Sequence, residues 1–280
     1  RVVVLPDSDL TESINECWMR VRSATLSTRT LCGVPKDIGS DEVHVWWIRT
    51  KDLAHNSAWL EDVLDSFELQ RARRFVRGSD RGRFVTARAC LRSLVGSYRG
   101  IHPREVRLSY GQHGKPTLAC GWHTTDLCFN LSHTEDLTLY AFVHGRAVGV
   151  DCEYVRQDID MEMLMPLVFS NRELDAVRKR TSGDSRDTFY RVWVAKEAYV
   201  KATGLGLSLD LTKVHIEWDN TEEGGVIEVA EKPEERERWC LRMLPAPSGY
   251  YAALVVETGR DHSKGLKVEL ARVGSAPISG

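Results

Sequence analysis

The stretch AVGVDCEYV, Ala147–Val155, decides how the chain is read. A run of small and apolar residues delivers two carboxylates, Asp151 and Glu153, with only Cys152 between them. Side chains alternate across a strand, so residues i and i+2 project to the same side. The two acids therefore share one face where a buried strand leaves the core, and Cys152 points away from them as a small hydrophobe. An unpaired buried charge is costly. A cation is the simplest neutralising partner.

A helix downstream supplies the answering groups. DTFYRVWVAKEAYVKATGLGL, Asp187–Leu207, places Trp193, Glu197 and Lys201 at i, i+4 and i+8, one above another on one face, with Gly204 positioned as a C-cap. A plain surface helix would leave Glu197 and Lys201 as a solvated pair worth a few tenths of a kcal/mol. Trp193 on the same stripe, and the acid pair left over on the strand, argue instead for a site. Three carboxylates, Asp151, Glu153 and Glu197, suit a hard divalent cation. Mg²⁺ (or Mn²⁺) takes oxygen ligands and keeps positions open for substrate phosphates. Lys196 and Lys201 would hold phosphate oxygens as point charges.

Around these motifs the chain reads as a duplicated unit. A strand at Asp41–Thr50 is followed by helical segments at Trp59–Phe75 and Gly82–Tyr98 and then by strands; the second half repeats the order with helices at Ile159–Lys179 and Asp187–Ala202. The interval from Trp46 to Phe84 equals that from Asp151 to Phe189. In this register Trp46 and Ile48 stand where the second half has Asp151 and Glu153, and Leu91 and Arg92 where it has Lys196 and Glu197. The expectation is an α+β protein, a pseudo-two-fold pair of similar α/β subdomains with the site at their junction. The divisions are 1–40, an extension; 41–147 and 148–258, the subdomains; and 259–280, a loosely held tail without periodicity.

Composition sets the limits. The chain has 280 residues, 42% hydrophobic and 28% charged, with a net charge of −2, so it carries no basic footprint for nucleic acid. No apolar run approaches the roughly 20 residues that cross a bilayer. Seven scattered cysteines with no C-x-x-C fit free thiols in a reducing compartment. That predicts a cytoplasmic protein. Residues 17–32, with three Arg and no acid, have transit-peptide composition, which would make the compartment a mitochondrion or plastid; the acidic stretch Asp7–Glu16 does not fit a targeting signal. The chain opens on Arg1, as a processed form would.

With these residues in place, the chain resembles the 4′-phosphopantetheinyl transferases, in the longer, two-halved, surfactin-synthetase-activating form. GVDCE at 149–153, WVAKEAYVKATGLGL at 193–207, GKP at 114–116 and FNLSH at 129–133 lie in that family's order and spacing. The resemblance implies a monomer that moves the phosphopantetheine arm of coenzyme A, its co-substrate, to a serine of an apo acyl or peptidyl carrier protein, releasing adenosine 3′,5′-bisphosphate. It implies catalytic roles for Asp151, Glu197 and Lys201, with Mg²⁺ on Asp151, Glu153 and Glu197. Coenzyme contacts would come from Arg71, Arg83, Lys115, Ser132, His133, Lys196 and Lys201. Lys115 would be held at the surface by its turn, and Glu68 stands where a lysine is expected. The rival readings are another Mg²⁺-dependent enzyme that cleaves nucleotide pyrophosphates, and a non-catalytic carrier-binding scaffold. No G-x-x-x-x-G-K-[ST] loop is present to favour the first, and the intact acids and lysines argue against the second.

Overall fold

Alternating β-branched and aromatic residues make the central strands, and two long apolar-striped helices cover them from outside. In the computed structural model, residues 19–27, 30–32, 34, 37–111, 115–119, 126–179, 185–220, 223–258 and 266–275 are described. The elements in chain order are β1 (Met19–Ser27), β2 (Thr30–Cys32), β3 (Glu42–Arg49), α1 (Ser57–Asp62), α2 (Ser66–Arg73), α3 (Gly78–Arg99), β4 (Leu108–Tyr110), β5 (Pro116–Leu118), β6 (Leu127–Thr134), β7 (Leu137–His144) and β8 (Val148–Tyr154). There follow α4 (Met161–Val168), α5 (Asn171–Lys179), α6 (Ser185–Thr203), β9 (Val214–Trp218), β10 (Gly224–Val229), β11 (Trp239–Met243), β12 (Tyr250–Glu257) and β13 (Lys267–Ser275).

Two sheets carry the architecture, in orders β2-β1-β13-β3-β7-β6 and β8-β12-β11-β10-β9, with β4-β5 as a separate ribbon. In each half the first strand pairs antiparallel with the last: Trp46 opposite Tyr140, Asp151 opposite Ala253. Alternation sorts the side chains into layers. Val43, Val45 and Trp47 of β3 pack with Val148, Val150 and Cys152 of β8 between the sheets. Trp46 and Ile48 turn outward under α3, with Leu91 and Leu94. On the far side Ala195, Ala198 and Tyr199 of α6 pack on Ala253 and Val255. The result is helix, sheet, sheet, helix.

The expected segments at Trp59–Phe75 and Ile159–Lys179 each divide in two, for the same reason. Asp65 accepts from Glu68 N at 2.8 Å while its own N–H donates to Glu68 Oε2 at 3.2 Å, a capping box that starts a new helix. Ser170 and Glu173 do likewise, with Ser170 N donating to Glu173 Oε2 at 2.7 Å.

The ends of the chain correct the sequence reading. Residues 267–275 of the expected loose tail form β13, inserted parallel between β1 and β3, with Val268, Leu270 and Val273 buried. Part of the expected 1–40 extension, β1 and β2, joins the same sheet. The tail's apolar residues lie against a strand from elsewhere in the chain, which local periodicity does not register. The transit-like composition at 17–18 and the acidic stretch before it lie outside the described residues.

Candidate active site at the junction of the halves

The site begins at Gly149. A Cβ there would come within 2.0 Å of the Ala198 carbonyl oxygen and 2.4 Å of Ala202 N. Only glycine lets α6 lie backbone-on-backbone against β8, and that contact brings the polar groups of α6 to the end of the strand.

From the other side, β6 presents three short polar side chains at i, i+2 and i+4. Asn130 Oδ1 accepts from Val150 N at 2.9 Å, Ser132 Oγ donates to Asp151 Oδ1 at 2.8 Å, and Thr134 Oγ1 donates to Glu153 Oε2 at 3.3 Å. Lys201 then joins the halves: its ammonium donates to Asp151 Oδ1 at 2.6 Å and to Ser132 Oγ at 2.8 Å. Burial pulls the Lys201 pKa down, but the charge and hydrogen bond of Asp151 outweigh it and the net shift is upward. Lys201 is therefore a fixed cation. The second oxygen of Asp151, Oδ2, is buried and has no hydrogen-bond partner among the described residues.

The remaining acids are held uncomfortably. Burial, then the charge of Asp151, pushes the Glu153 carboxyl up to about 7. The same two causes, in the same order, raise Glu197. An orphaned buried carboxylate oxygen beside two carboxyls that resist ionisation is a donor set short of positive charge. A hard divalent cation fits it. Among the described residues no group of three acids, histidines or cysteines is placed so as to hold a metal ion, so Asp151, Glu153 and Glu197 are not gathered into a ligand set here, and such an ion would need ligands from water and substrate as well.

The other expected contacts divide. His133, exposed on β6 beside Ser132, lies below the ordinary histidine range; desolvation is the largest cause, followed by the positive charge of Lys201, Arg88, Arg83 and Arg71. Arg71 is exposed, its guanidinium 5.4 Å from the Phe84 ring centroid. Arg83 is committed to Asp80 at 2.6 Å and to the Glu135 carboxylate at 3.1 Å.

Lys115 is half-buried rather than held at the surface, and its ammonium donates to the Lys201 carbonyl at 2.5 Å, satisfying a carbonyl in the last turn of α6. Gly114 of that motif lies outside the described residues. Lys196 is not at the site. Its ammonium is fully buried on a different face of α6, donating to Glu173 Oε2 at 2.6 Å, Val168 O at 2.7 Å and Leu211 O at 3.1 Å. Sequence reading also passed over the roles of Gly149 and Thr134, although the signal was there, in the glycine two residues before Asp151 and the same-face spacing from Ser132.

The geometry defines a class: a two-halved α+β fold whose second half supplies carboxylates at the junction while both halves supply cations. Two family descriptions match this chain, "4'-phosphopantetheinyl transferase superfamily" over residues 147–255 and "4'-phosphopantetheinyl transferase, N-terminal" over residues 53–144. The chain is 40% identical over 169 residues to the 4′-phosphopantetheinyl transferase HetI of Nostoc sp., covering 60% of this chain and 71% of that protein. It is 31% identical over 198 residues to a phosphopantetheinyl transferase of Thraustochytrium sp., covering 66% and 68%. With the transferase Sfp of Bacillus subtilis it shares 29% over 142 residues, covering 51% of this chain and 61% of Sfp. The chain belongs to the 4′-phosphopantetheinyl transferase family, and it is a transferase of the two-halved type.

Proposed function

We propose that this chain moves the 4′-phosphopantetheine arm of coenzyme A to a serine hydroxyl of an apo acyl or peptidyl carrier protein, with adenosine 3′,5′-bisphosphate as the leaving product. The observation that carries the reading is the Ser132–Lys201–Asp151 network, which ties the halves together and leaves Asp151 Oδ2 buried without a partner among the described residues.

In this reading Asp151, Glu153 and Glu197 would hold Mg²⁺, or Mn²⁺, which would supply charge neutralisation on the coenzyme's pyrophosphate. Lys201, locked in its charged form, adds a fixed positive charge at the same phosphates. His133 donates to a phosphate oxygen from the end of β6. Arg71 and Arg83 add cationic contacts from the first half. The acceptor for the serine proton would be Glu197 or a water held by the metal, since a carboxylate committed to the ion is not also a free base.

The working unit in this proposal is a monomer made of subdomains 41–147 and 148–258, the first completed by β13. No helix of the described residues is long and apolar enough to cross a membrane. Free thiols at Cys90, Cys128, Cys152 and Cys240 support a cytoplasmic placement.

Mass spectrometry of a panel of apo carriers after incubation with coenzyme A and Mg²⁺ tests the reading. A carrier that gains the phosphopantetheine mass, with release of adenosine 3′,5′-bisphosphate only when carrier is present, is the expected result. Release without any carrier would replace the transferase with a pyrophosphate hydrolase.

A further inference from the structure

Lys201 sits in the last turn of α6, the part of a helix that frays first. Gly204 turns the chain away there, at φ +73°, and its N–H closes the helix on Val200 O at 3.0 Å. The Thr203 hydroxyl goes to the same carbonyl, at 3.1 Å. The Lys201 carbonyl therefore receives no backbone N–H among the described residues. Its partner is the Lys115 ammonium, at 2.5 Å, from the other half of the molecule.

Lys115 is fixed by the chain around it. Its own carbonyl accepts from Gly111 N at 3.0 Å, closing the β4–β5 ribbon, and the buried Pro116 after it pairs with Tyr110. A residue before proline is confined to extended backbone. Tyr110 in turn donates to the buried Glu68 at 2.8 Å, which ties the ribbon to the core of the first half. Burial, then the charge of Lys201, holds the Lys115 ammonium below the ordinary lysine range. A lysine free to swing into water would escape both.

The first half thus grips Lys201 at both ends. Ser132 of β6 accepts from its ammonium at 2.8 Å, and Lys115 donates to its carbonyl. A cation at the C-terminal end of a helix also complements the helix dipole, which opposes fraying. Each of the two ammoniums already has its oxygen: Asp151 and Ser132 for Lys201, the carbonyl for Lys115. Loss of the Lys115 contact would free the backbone end of the side chain that reaches Asp151.

We propose that Lys115 is a positioning residue: it pins the last turn of α6 to the first half and so holds the Lys201 ammonium at Asp151, ready for the coenzyme's phosphates. The proposal rests on the transferase reading above and replaces the direct coenzyme contact that the GKP motif implies for Lys115.

Calorimetric titration with coenzyme A, in Mg²⁺, tests it on the unsubstituted chain, Lys115→Met, Lys201→Met and the double substitution, with the thermal midpoint of each measured alongside. Lys115→Met should lower coenzyme affinity by about fivefold, as loss of one hydrogen bond does. In the Lys201→Met chain no ammonium is left to position, and the same change should alter affinity by less than about twofold. The midpoint should fall alike in both backgrounds, because the carbonyl contact is lost in both. An equal affinity loss in both backgrounds would overturn the proposal and make Lys115 a direct coenzyme contact. A lower midpoint with unchanged affinity in Lys115→Met would also overturn it, leaving Lys115 a helix cap alone. Failure of the unsubstituted chain to bind coenzyme A would overturn the transferase reading and the proposal with it. Should Lys201→Met bind too weakly to titrate, or a variant unfold, a crystal structure of the unsubstituted chain with coenzyme A decides the point. Lys115 Nζ on the Lys201 carbonyl and on no phosphate oxygen supports the proposal, and Nζ on a phosphate oxygen rejects it.

Discussion

β3 and β8 hold equivalent places in the two halves, yet each meets its helix differently. The register that aligns Trp46 with Asp151 also aligns His44 with Gly149. In the first half His44 and Trp46 fill the space between strand and helix, both bonded at 2.8 Å to the Tyr98 hydroxyl of α3. In the second half Gly149 removes that spacer, and α6 sits directly on the strand. A strand that keeps its helix at a distance builds core; a strand that admits its helix can share polar groups with it. The difference accounts for why β8, and not β3, carries acids at this place in the fold.

A second pair of positions shows what the halves retain in common. Glu68 and Glu173, Asp65 and Ser170, and Tyr110 and His215 fall in the same register. Each glutamate closes a capping box, and each pairs with a buried cation of the following helix, Arg92 at 2.6 Å and Lys196 at 2.6 Å. Tyr110 donates to Glu68, and His215 Nδ1 stands 3.7 Å from Glu173. Lys196 is thus a structural cation that answers Glu173 as Arg92 answers Glu68, though one position out of register, whereas Asp151 and Lys201 replace Trp46 and Gly96 and belong to the second half alone.

The largest effect should follow from returning β8 toward the condition of β3. Asp151→Asn removes the charge that anchors Lys201 while preserving shape, and transfer should fall by more than about 10²-fold with the thermal midpoint little reduced. Steady-state transfer to any accepted carrier measures it. Transfer within a fewfold of the unsubstituted rate would remove Asp151 from the chemistry.

Next in size are the matched ion pairs. Arg92→Met and Lys196→Met each leave a buried glutamate uncompensated, and each should cost about 3–5 kcal/mol in denaturant unfolding. Lys196→Met combined with Glu173→Gln should recover much of that loss. If Lys196→Met instead kept its stability and lost only coenzyme affinity, the equivalence of the halves would be broken and Lys196 would return to the site.

These pairs mark where sequence reading stopped. The strand acids and the Glu197–Lys201 face could be read because each depends on local spacing and handedness, and the Ser132–His133 segment because it stands in a family motif. Lys196 could not, since it is adjacent to Glu197 in the chain and about 100° away around the helix. Its direction is settled by Glu173, which only the packed structure places beneath it. β13 was missed for a related reason: a strand flanked by two parallel neighbours is stabilised by partners distant in the chain. Glu68, where a lysine was expected, is explained by the inward pair with Arg92.

A smaller change probes the helix contact itself. Gly149→Ala should push α6 away from β8, at a cost of about 1–3 kcal/mol, and should lower transfer as Lys201 parts from Asp151. His44→Ala, at the equivalent place, removes a spacer rather than adding one and should lower stability with coenzyme affinity retained. Equal effects of the two substitutions on coenzyme affinity, read by calorimetry, would dissolve the distinction between the strands.

The smallest expected effect concerns pH, and its sign can be worked out from Glu153. Its carboxyl is pushed up to about 7 in the folded, metal-free chain, by burial first and Asp151 second. A carboxyl raised above its unfolded value favours folding while protonated, and that contribution fades as pH rises through about 7. His133, whose pKa is lowered, works in the opposite direction, since its stabilising contribution is lost as pH falls. The whole-chain midpoint therefore mixes the two, and a comparison with Glu153→Gln isolates the acid. Without Mg²⁺, Glu153→Gln should gain on the unsubstituted chain as pH rises from about 4.5 to about 7, modestly, because Glu153 is only half-buried and solvent screens it. Adding Mg²⁺ should reverse the trend for the unsubstituted chain alone, since the ionised carboxylate is the form that binds the ion. A midpoint difference that ignores both pH and Mg²⁺ would mean that Glu153 is neither strained nor a ligand, and the asymmetry of β8 over β3 would then rest on Asp151 and Glu197.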